Sequence, residues 1–374
     1  MVLAWSGACF ACSEPVPAAA SGGDALSIEV ADVAELSMEV DGSVDAKVST
    51  DAQVADSAPA DALADAGADA PADVQPDSAA DAAPDGSSEV SADMSAETVL
   101  GCSMPSSAGH HEAKCQGLVF DLHVPAACAK GGCGLVVDVH GATMDAEMQD
   151  YNTDLRALGE QLGYVVVQPN AMPPPPTSAW LTADDAVVLD FTKSAIVALA
   201  IDSKRVHFTG FSQGGWMGWR MVCKQPDLFA SVAIAAACSS YGGEGCSFQA
   251  GQVPSKPLPV LYMHGKLDVL QPWWCAEQQI AGLTKGWQLK QTQVVAQDSD
   301  HLWQRLATPG GTTVELVQHS YSALSPALGG HCYPGSPDVF PKYFGQVAGF
   351  GCTGKSAFHW GKVAMGFFAA HPKP

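Results

Sequence analysis

Positive charge is scarce in this chain of 374 residues: Lys and Arg number 18 against 40 Asp and Glu, and only 16% of residues are charged. With no basic face or stripe to neutralise a phosphate backbone, nucleic-acid binding is excluded. No apolar run reaches about 18 residues, which excludes a polytopic membrane protein. Zinc-type spacing is missing too. His110-His111 near Cys102 and Cys115 is the nearest approach and lacks the tight Cys/His pairs that zinc takes, so no metal is expected. Met1–Cys12 (MVLAWSGACFAC) is apolar and rich in small residues but has no basic n-region of a secretory signal.

What is present divides by position. Residues 1–100 hold 20 acids and one base, Lys47, which leaves 17 bases against 20 acids, a net −3, for the other 274 residues. Most of the formal −22 therefore belongs to a tail and says nothing about a substrate site. The remaining length fits one large α/β domain able to bury a substantial core. From Ser21 to Thr98 the chain is Ala, Asp, Ser, Pro and Val, with acids at every fourth residue from Asp61 to Glu97. A helix would stack those like charges on one face, and Pro59, Pro71, Pro76 and Pro84 interrupt it further. An extended, self-repelling tether is expected in preference to a calcium-binding segment.

Three segments follow: 1–20, the cut-down end of an export signal or a lipoprotein-like N-terminus; 21–98, a disordered Ala/Asp/Pro-rich linker; and 99–374, the folded domain. Ser-Gly-Ala-Cys9 resembles a bacterial lipobox, with Ser6 where an aliphatic residue is usual. An ordinary secreted chain with an imprecise start fits equally well. Membrane attachment, if any, is expected only through an acylated Cys9. Cys9-x-x-Cys12 has no βαβ unit around it and is not read as a redox pair. Ten cysteines lie beyond residue 100, an even number at scattered spacing, which argues for disulfides and an extracytoplasmic compartment. Spacing does not fix connectivity; the guesses are the local pairs Cys102–Cys115, Cys128–Cys133 and Cys238–Cys246.

After Gly101 short apolar runs alternate with helical stretches. Leu118–Val124 alternates like a half-exposed strand, while Leu135–His140, Tyr164–Gln168, Arg205–Thr209, Ser231–Ala237 and Pro259–His264 read as buried strands. Helices are expected near Asp154–Leu162, Asp184–Ala200, Gln213–Cys223 and Ala357–Ala370. This alternation predicts an α/β fold, a mainly parallel sheet covered on both faces. Chemistry then belongs beyond the carboxyl ends of the strands.

Directly after Arg205–Thr209 comes Gly210-Phe-Ser-Gln-Gly214 and then a helix. The string is weak by itself; its place between strand and helix makes it strong. A serine on so sharp a turn has its hydroxyl forced outward, and the flanking glycines make room for the cramped backbone. Ser212 needs a histidine to take its proton and a carboxylate to hold that histidine's tautomer, following in the order acid, then base. Asp268, just past the strand Pro259–His264, is the candidate acid; Asp300 and Asp338 follow no such strand. Among His301, His319, His331 and His359, only His331 sits in a Gly- and Pro-bounded turn, Gly329-Gly-His-Cys-Tyr-Pro-Gly335. His359 falls in an expected helix and His301 precedes a strand.

Oxyanion donors are expected from the backbone N–H of Gln213, at the start of a helix, and from Gly141 and Ala142 in the loop after Leu135–His140. The side chain of His140 itself reads as bonded to neighbouring backbone. Trp180, Trp216 and Tyr333 are candidate substrate contacts. Trp219, Trp273, Trp274 and Trp303 could share an apolar cleft, although buried aromatics are commoner in cores.

The blocks Asp138-Val-His-Gly-Ala-Thr143, Arg205-Val-His-Phe-Thr-Gly-Phe-Ser-Gln-Gly-Gly215, His264-Gly-Lys-Leu-Asp268 and Gly329-Gly-His-Cys-Tyr-Pro-Gly335 resemble, in order, those of polyhydroxybutyrate depolymerase-like esterases, close relatives of feruloyl and acetylxylan esterases. The resemblance runs from about Gly101 to the C-terminus. It implies an α/β-hydrolase fold, a serine esterase without cofactor, and Ser212, Asp268 and His331 as nucleophile, acid and base. The family often has tryptophan where Tyr333 stands and cysteine where Ala142 stands, which leaves the ester substrate open between polyester and acylated plant polysaccharide. A non-catalytic surface binding protein on a hydrolase scaffold is the rival of another class. Gly349–Ser356 fits G-x-x-x-x-G-K-[ST], but a phosphate loop belongs after an early strand with a full domain downstream.

Overall fold

The computed structural model describes residues 101–239, 246, 248, 252–336, 339–340 and 347–374. The expected export segment and tether, together with Asp338, lie outside them. Ten strands form one sheet: β1 (Gly109–Cys115), β2 (Leu118–Val124), β3 (Gly134–Val139), β4 (Tyr164–Asn170), β5 (Val206–Phe211), β6 (Ser231–Ala235), β7 (Val260–Gly265), β8 (Lys290–Gln297), β9 (His301–Ala307) and β10 (Thr313–His319). Their spatial order is β1-β2-β4-β3-β5-β6-β7-β10-β9-β8. The run from β4 to β10 is parallel throughout, and the pairs β1–β2 and β8–β9 extend it antiparallel at either side.

The central strands are apolar on both faces because helices cover both. Alternate residues go to opposite sides. Leu135, Val137, Val165, Val167, Phe208 and Tyr262 pack with the helices α3 (Asp184–Ala198), α4 (Gln213–Lys224) and α5 (Trp273–Trp287). Val136, Tyr164, Val166, Leu261 and Met263 pack with α1 (Ala146–Thr153), α2 (Leu155–Leu162) and α6 (Trp360–Ala370). The mainly parallel, two-sided sheet is as the strand pattern predicted.

Several details differ from the sequence expectation. Helix α1 had no apolar stripe to announce it, since the residues it buries include Gln149, Asn152 and Thr153; Asp145 starts it by accepting the N–H of Met148 at 2.8 Å. Strand β8 carries mostly exposed polar residues, as an edge strand does, and it too went unpredicted. His359 caps α6 and is not inside it.

Among the described residues the disulfides are Cys102–Cys115, Cys128–Cys133, Cys223–Cys246, Cys238–Cys275 and Cys332–Cys352. The guess Cys238–Cys246 is overturned. Cys238 lies just beyond β6 and meets the first turn of α5, while Cys246 returns to the end of α4, neighbours that spacing alone does not reveal. Gly349–Ser356 is not a phosphate loop: Cys352 is bonded to Cys332, and its backbone N–H bonds the carbonyl of Tyr333.

Candidate active site

Strand β5 ends at Phe211, and α4 begins at Gln213, leaving Ser212 alone to reverse the chain. It does so at φ 51°, ψ −117°, a conformation a non-glycine residue adopts only where the surroundings enforce it. They do here. A Cβ on Gly210 would collide with the Gly214 carbonyl and one on Gly214 with the Val139 carbonyl, so only glycines let helix and strands close on the turn. The Ser212 N–H bonds the Ala235 carbonyl of β6 at 3.0 Å.

Asp268 follows β7, and its two carboxylate oxygens have separate tasks. Oδ1 accepts the backbone N–H groups of Leu270 (2.9 Å) and Gln271 (2.7 Å). Oδ2 lies 2.7 Å from Nδ1 of His331, and both side chains are buried. Nδ1 therefore carries the proton and Nε2 is left as the acceptor. The two loops also join by main chain, Gly330 N–H to the Leu267 carbonyl at 2.7 Å. Gly329, at φ 54°, has no room for a Cβ against that carbonyl.

The imidazole of His331 stands 4.7 Å, centroid to centroid, from the ring of Phe211, the residue before Ser212. Sequence reasoning thus chose three positions that the fold brings to one end of the sheet. Among the described residues the Ser212 hydroxyl makes no hydrogen bond to His331, and such contacts commonly tighten only around substrate.

On the opposite flank, an ideal Cβ on Gly141 would sit 3.2 Å from Cβ of Ser212. Among the described residues, no acceptor takes the N–H groups of Gly141, Ala142 or Gln213. His140 is a structural residue, as expected. Nδ1–H donates to the Gly141 carbonyl (2.7 Å) and Nε2 accepts from the Ala171 N–H (3.1 Å), while burial lowers its pKa to about 4.

The three aromatic candidates differ. Trp180 is buried; its indole donates to the His140 carbonyl (2.8 Å) and its backbone N–H to Oε1 of Gln213 (3.0 Å), so it braces the loop after β3 against α4. Trp216 is half-buried and donates to Oε1 of Gln271 (3.2 Å). Tyr333 is fully buried behind Phe211, 4.3 Å between centroids, and its hydroxyl donates to Oε1 of Gln149 (3.0 Å). Trp219 is core, and Trp274 is exposed.

Sequence reasoning missed the residues beneath the triad candidates. His264 donates from Nε2 to the Gln271 carbonyl (2.7 Å) and accepts from the Tyr262 hydroxyl (3.1 Å), and burial lowers its pKa, keeping it neutral. Cys238, His264 and Cys275 lie close enough to suggest a metal, but the two cysteines are bonded to each other and offer no thiolate.

Residues 182–306 match the phospholipase/carboxylesterase family model, a stretch that includes Ser212 and Asp268. The chain is 28% identical over 177 residues to the bifunctional acetylxylan esterase/xylanase XynS20E of Neocallimastix patriciarum, covering 46% of this chain and 24% of that one. It is 28% identical over 127 residues to the poly(3-hydroxyoctanoate) depolymerase of Pseudomonas fluorescens, covering 30% and 44%. The chain thus spans less than half the length of the curated relatives it matches. Among solved structures, an acetyl xylan esterase from Aspergillus awamori aligns over 54% of this chain and 87% of that one, at 17% identity and a TM-score of 0.43.

Proposed function

We propose that this chain, whose residues 182–306 match the phospholipase/carboxylesterase family model, is an exported serine esterase of the α/β-hydrolase fold working through an acyl-enzyme. Ser212 Oγ attacks the ester carbonyl while Nε2 of His331 takes its proton. The carbon–oxygen bond to the alcohol then breaks, and the alcohol leaves with that proton. Water repeats the sequence on the acyl-enzyme, releasing the carboxylic acid and restoring Ser212. Asp268 stays ionised and holds the imidazole with Nε2 facing the reaction. The N–H groups of Gln213 and of Gly141 or Ala142 receive the developing oxyanion, where fixed dipoles need no reorganisation.

One observation carries the reading: a buried carboxylate–imidazole pair at 2.7 Å beside a serine held at positive φ between strand and helix. Five disulfides support an oxidising, extracytoplasmic setting. No helix among the described residues is long and apolar enough to cross a membrane.

The substrate we favour is an aliphatic polyester or its short hydroxyalkanoate esters. Around the acid the chain reads Leu267-Asp-Val-Leu-Gln-Pro-Trp-Trp274, and Leu267, Val269, Leu270 and Trp274 are each about half exposed (48–55%). Four large apolar side chains left about half exposed within eight residues beside the acid suit an apolar polymer chain better than a hydroxyl-rich polysaccharide. Plant-wall acyl esters remain the second reading, supported by the acetylxylan esterase relative.

The wild-type protein is expected to hydrolyse p-nitrophenyl butyrate, to react with a fluorophosphonate, and to lose both properties on Ser212→Ala with unchanged thermal unfolding. Retained turnover in the variant removes the nucleophile assignment, and a wild type that neither reacts nor turns over is a binding protein. Clearing of a polyhydroxyalkanoate emulsion, set against acetate release from acetylated xylan and ferulate release from its methyl ester, decides the substrate.

A further inference from the structure

Asp138 is a carboxylate near the carboxyl end of the apolar strand β3, fully buried, and the acyl-enzyme chemistry makes no use of it. Its oxygens are enclosed by donors. Oδ1 accepts Nε2–H of Gln149 at 2.6 Å; Oδ2 accepts Nε2–H of Gln168 at 2.8 Å and the hydroxyl of Thr153 at 3.1 Å. An acceptor-only group fixes which way round each amide lies. Gln149 must turn its nitrogen to Asp138, so its oxygen faces the other way and receives the Tyr333 hydroxyl at 3.0 Å.

Tyr333 is two residues from His331. Its ring stacks on Phe211, its N–H bonds the Phe350 carbonyl at 2.6 Å, and the adjacent Cys332 ties the same loop to Cys352. The serine's neighbour Phe211 therefore packs on a phenol two residues from His331, and that phenol's only polar anchor among the described residues is an amide oriented by Asp138.

We propose that Asp138 is a positioning residue for the catalytic base, acting through Gln149 and Tyr333 to hold the His331 loop at its working distance from Ser212. The proposal rests on the esterase reading above for its kinetic consequences, but not for its structural ones. Burial pushes the Asp138 carboxyl up to about 7, against the pull of its three hydrogen bonds. Of the charged groups nearby, Asp150 on α1 adds to that rise, while Arg156 on α2 bonds Oε1 of Gln168 at 2.6 Å and offsets Asp150. Burial holds the Tyr333 phenol well above its usual range, so it remains a donor. When Asp138 takes up a proton, one donor meets a hydroxyl and not a lone pair. Gln149 is then free to turn over, so that the Tyr333 hydroxyl faces an NH2 in place of the carbonyl oxygen that holds it.

Two variants test the two ends of this relay. Asp138→Asn keeps the volume but sets an NH2 against donors; Tyr333→Phe removes one oxygen and is the milder should the first fold poorly. Each is expected to lower kcat on p-nitrophenyl butyrate by about tenfold with KM within about twofold, and the double variant to be no worse than the poorer single, since both cut one path. Below pH 7 the wild-type kcat should fall more steeply than one titrating group allows, and Asp138→Asn should show a one-proton limb. The Nδ1–H proton of His331, hydrogen-bonded to Asp268, should give a sharp far-downfield NMR signal in the wild type that broadens in both variants.

Kinetic constants within twofold of wild type, multiplying losses in the double variant, or an unchanged acid limb would each overturn the proposal. Should the wild type hydrolyse no ester, the NMR signal alone decides: broadening in the variants upholds the positioning role while the esterase reading fails, and a signal unchanged in both variants refutes it.

Discussion

Replacing Asp268 by asparagine isolates the carboxylate's electrostatic task from its shape. Oδ1 is held by two backbone donors, the N–H groups of Leu270 and Gln271 at 2.9 and 2.7 Å, which only an oxygen can accept. The new amide must keep its oxygen there, so its NH2 occupies the place of Oδ2, 2.7 Å from Nδ1 of His331. Two donors cannot share that contact. The imidazole responds by giving up the proton on Nδ1 and carrying it on Nε2, the nitrogen that must accept from Ser212. The fold need not change, yet the base is present in the wrong tautomer. In serine hydrolases such a swap costs about 10,000-fold in kcat, or about 5.5 kcal/mol of transition-state stabilisation. Steady-state hydrolysis of p-nitrophenyl butyrate by Asp268→Asn, with its melting temperature measured beside it, gives the answer. A variant that melts within a few degrees of wild type and keeps more than about a tenth of kcat/KM would refute the tautomer argument, and with it the acid assignment.

Three further outcomes are expected. Removing the Cys332–Cys352 bond, which closes a loop of sequence separation 20, with serine at both positions should cost about 3 kcal/mol, or roughly 5–10 °C by calorimetry, and an unchanged midpoint would mean the loop is held by other contacts. Gly329→Ala, at φ 54° and against the Leu267 carbonyl, should part the acid and base loops and lower kcat/KM at least tenfold; activity equal to wild type would show that the loops yield at no cost. Burial lowers the pKa of His140 to about 4 and those of His207 and His319 to about 3, below the unfolded value near 6.5, so each stabilises the neutral protein and that contribution is lost as pH falls from about 6.5 towards 3. Asp138, raised to about 7, and Asp150, also raised by burial, oppose this, but His264 and His359, lowered by burial, act with the other three histidines, and the melting temperature should drop from pH 7 to pH 4. A midpoint that holds or rises over that interval contradicts these burials.

The central strands and the candidate triad were legible because both obey rules written along the chain. Buried parallel strands are continuous apolar runs, and catalytic groups come just after them. Ser212, Asp268 and His331 could be chosen without knowing how β7 and β10 pair. What was not legible depended on neighbours distant in sequence. Cys238 has Cys275 as partner only because α5 begins beside the end of β6. Helix α1 escaped notice because it buries Gln149 and Thr153 against Asp138, so its inward face reads as polar. The sequence offers Tyr333 as a substrate contact, whereas its ring is enclosed behind Phe211; nothing in the local string distinguishes a phenol facing a cleft from one facing a buried amide. Asp138 did leave a signal, a lone acid inside the apolar run Leu135–His140, but its hydrogen-bond partners lie on two other elements, α1 and β4.

The acid and base loops are joined by backbone, through the Gly330 N–H and the Leu267 carbonyl and the short bridge of Asp268 with Gly329. Main-chain stitching is indifferent to which side chains flank it. Leu267, Val269 and Leu270, which point outward beside the acid, are therefore open to replacement by almost any residue without unsettling the proton-handling pair. Under the esterase reading proposed above, that three-residue fringe is a place where substrate preference can drift while the Asp268–His331 pair stays put, and saturating those codons in the laboratory would explore the same freedom.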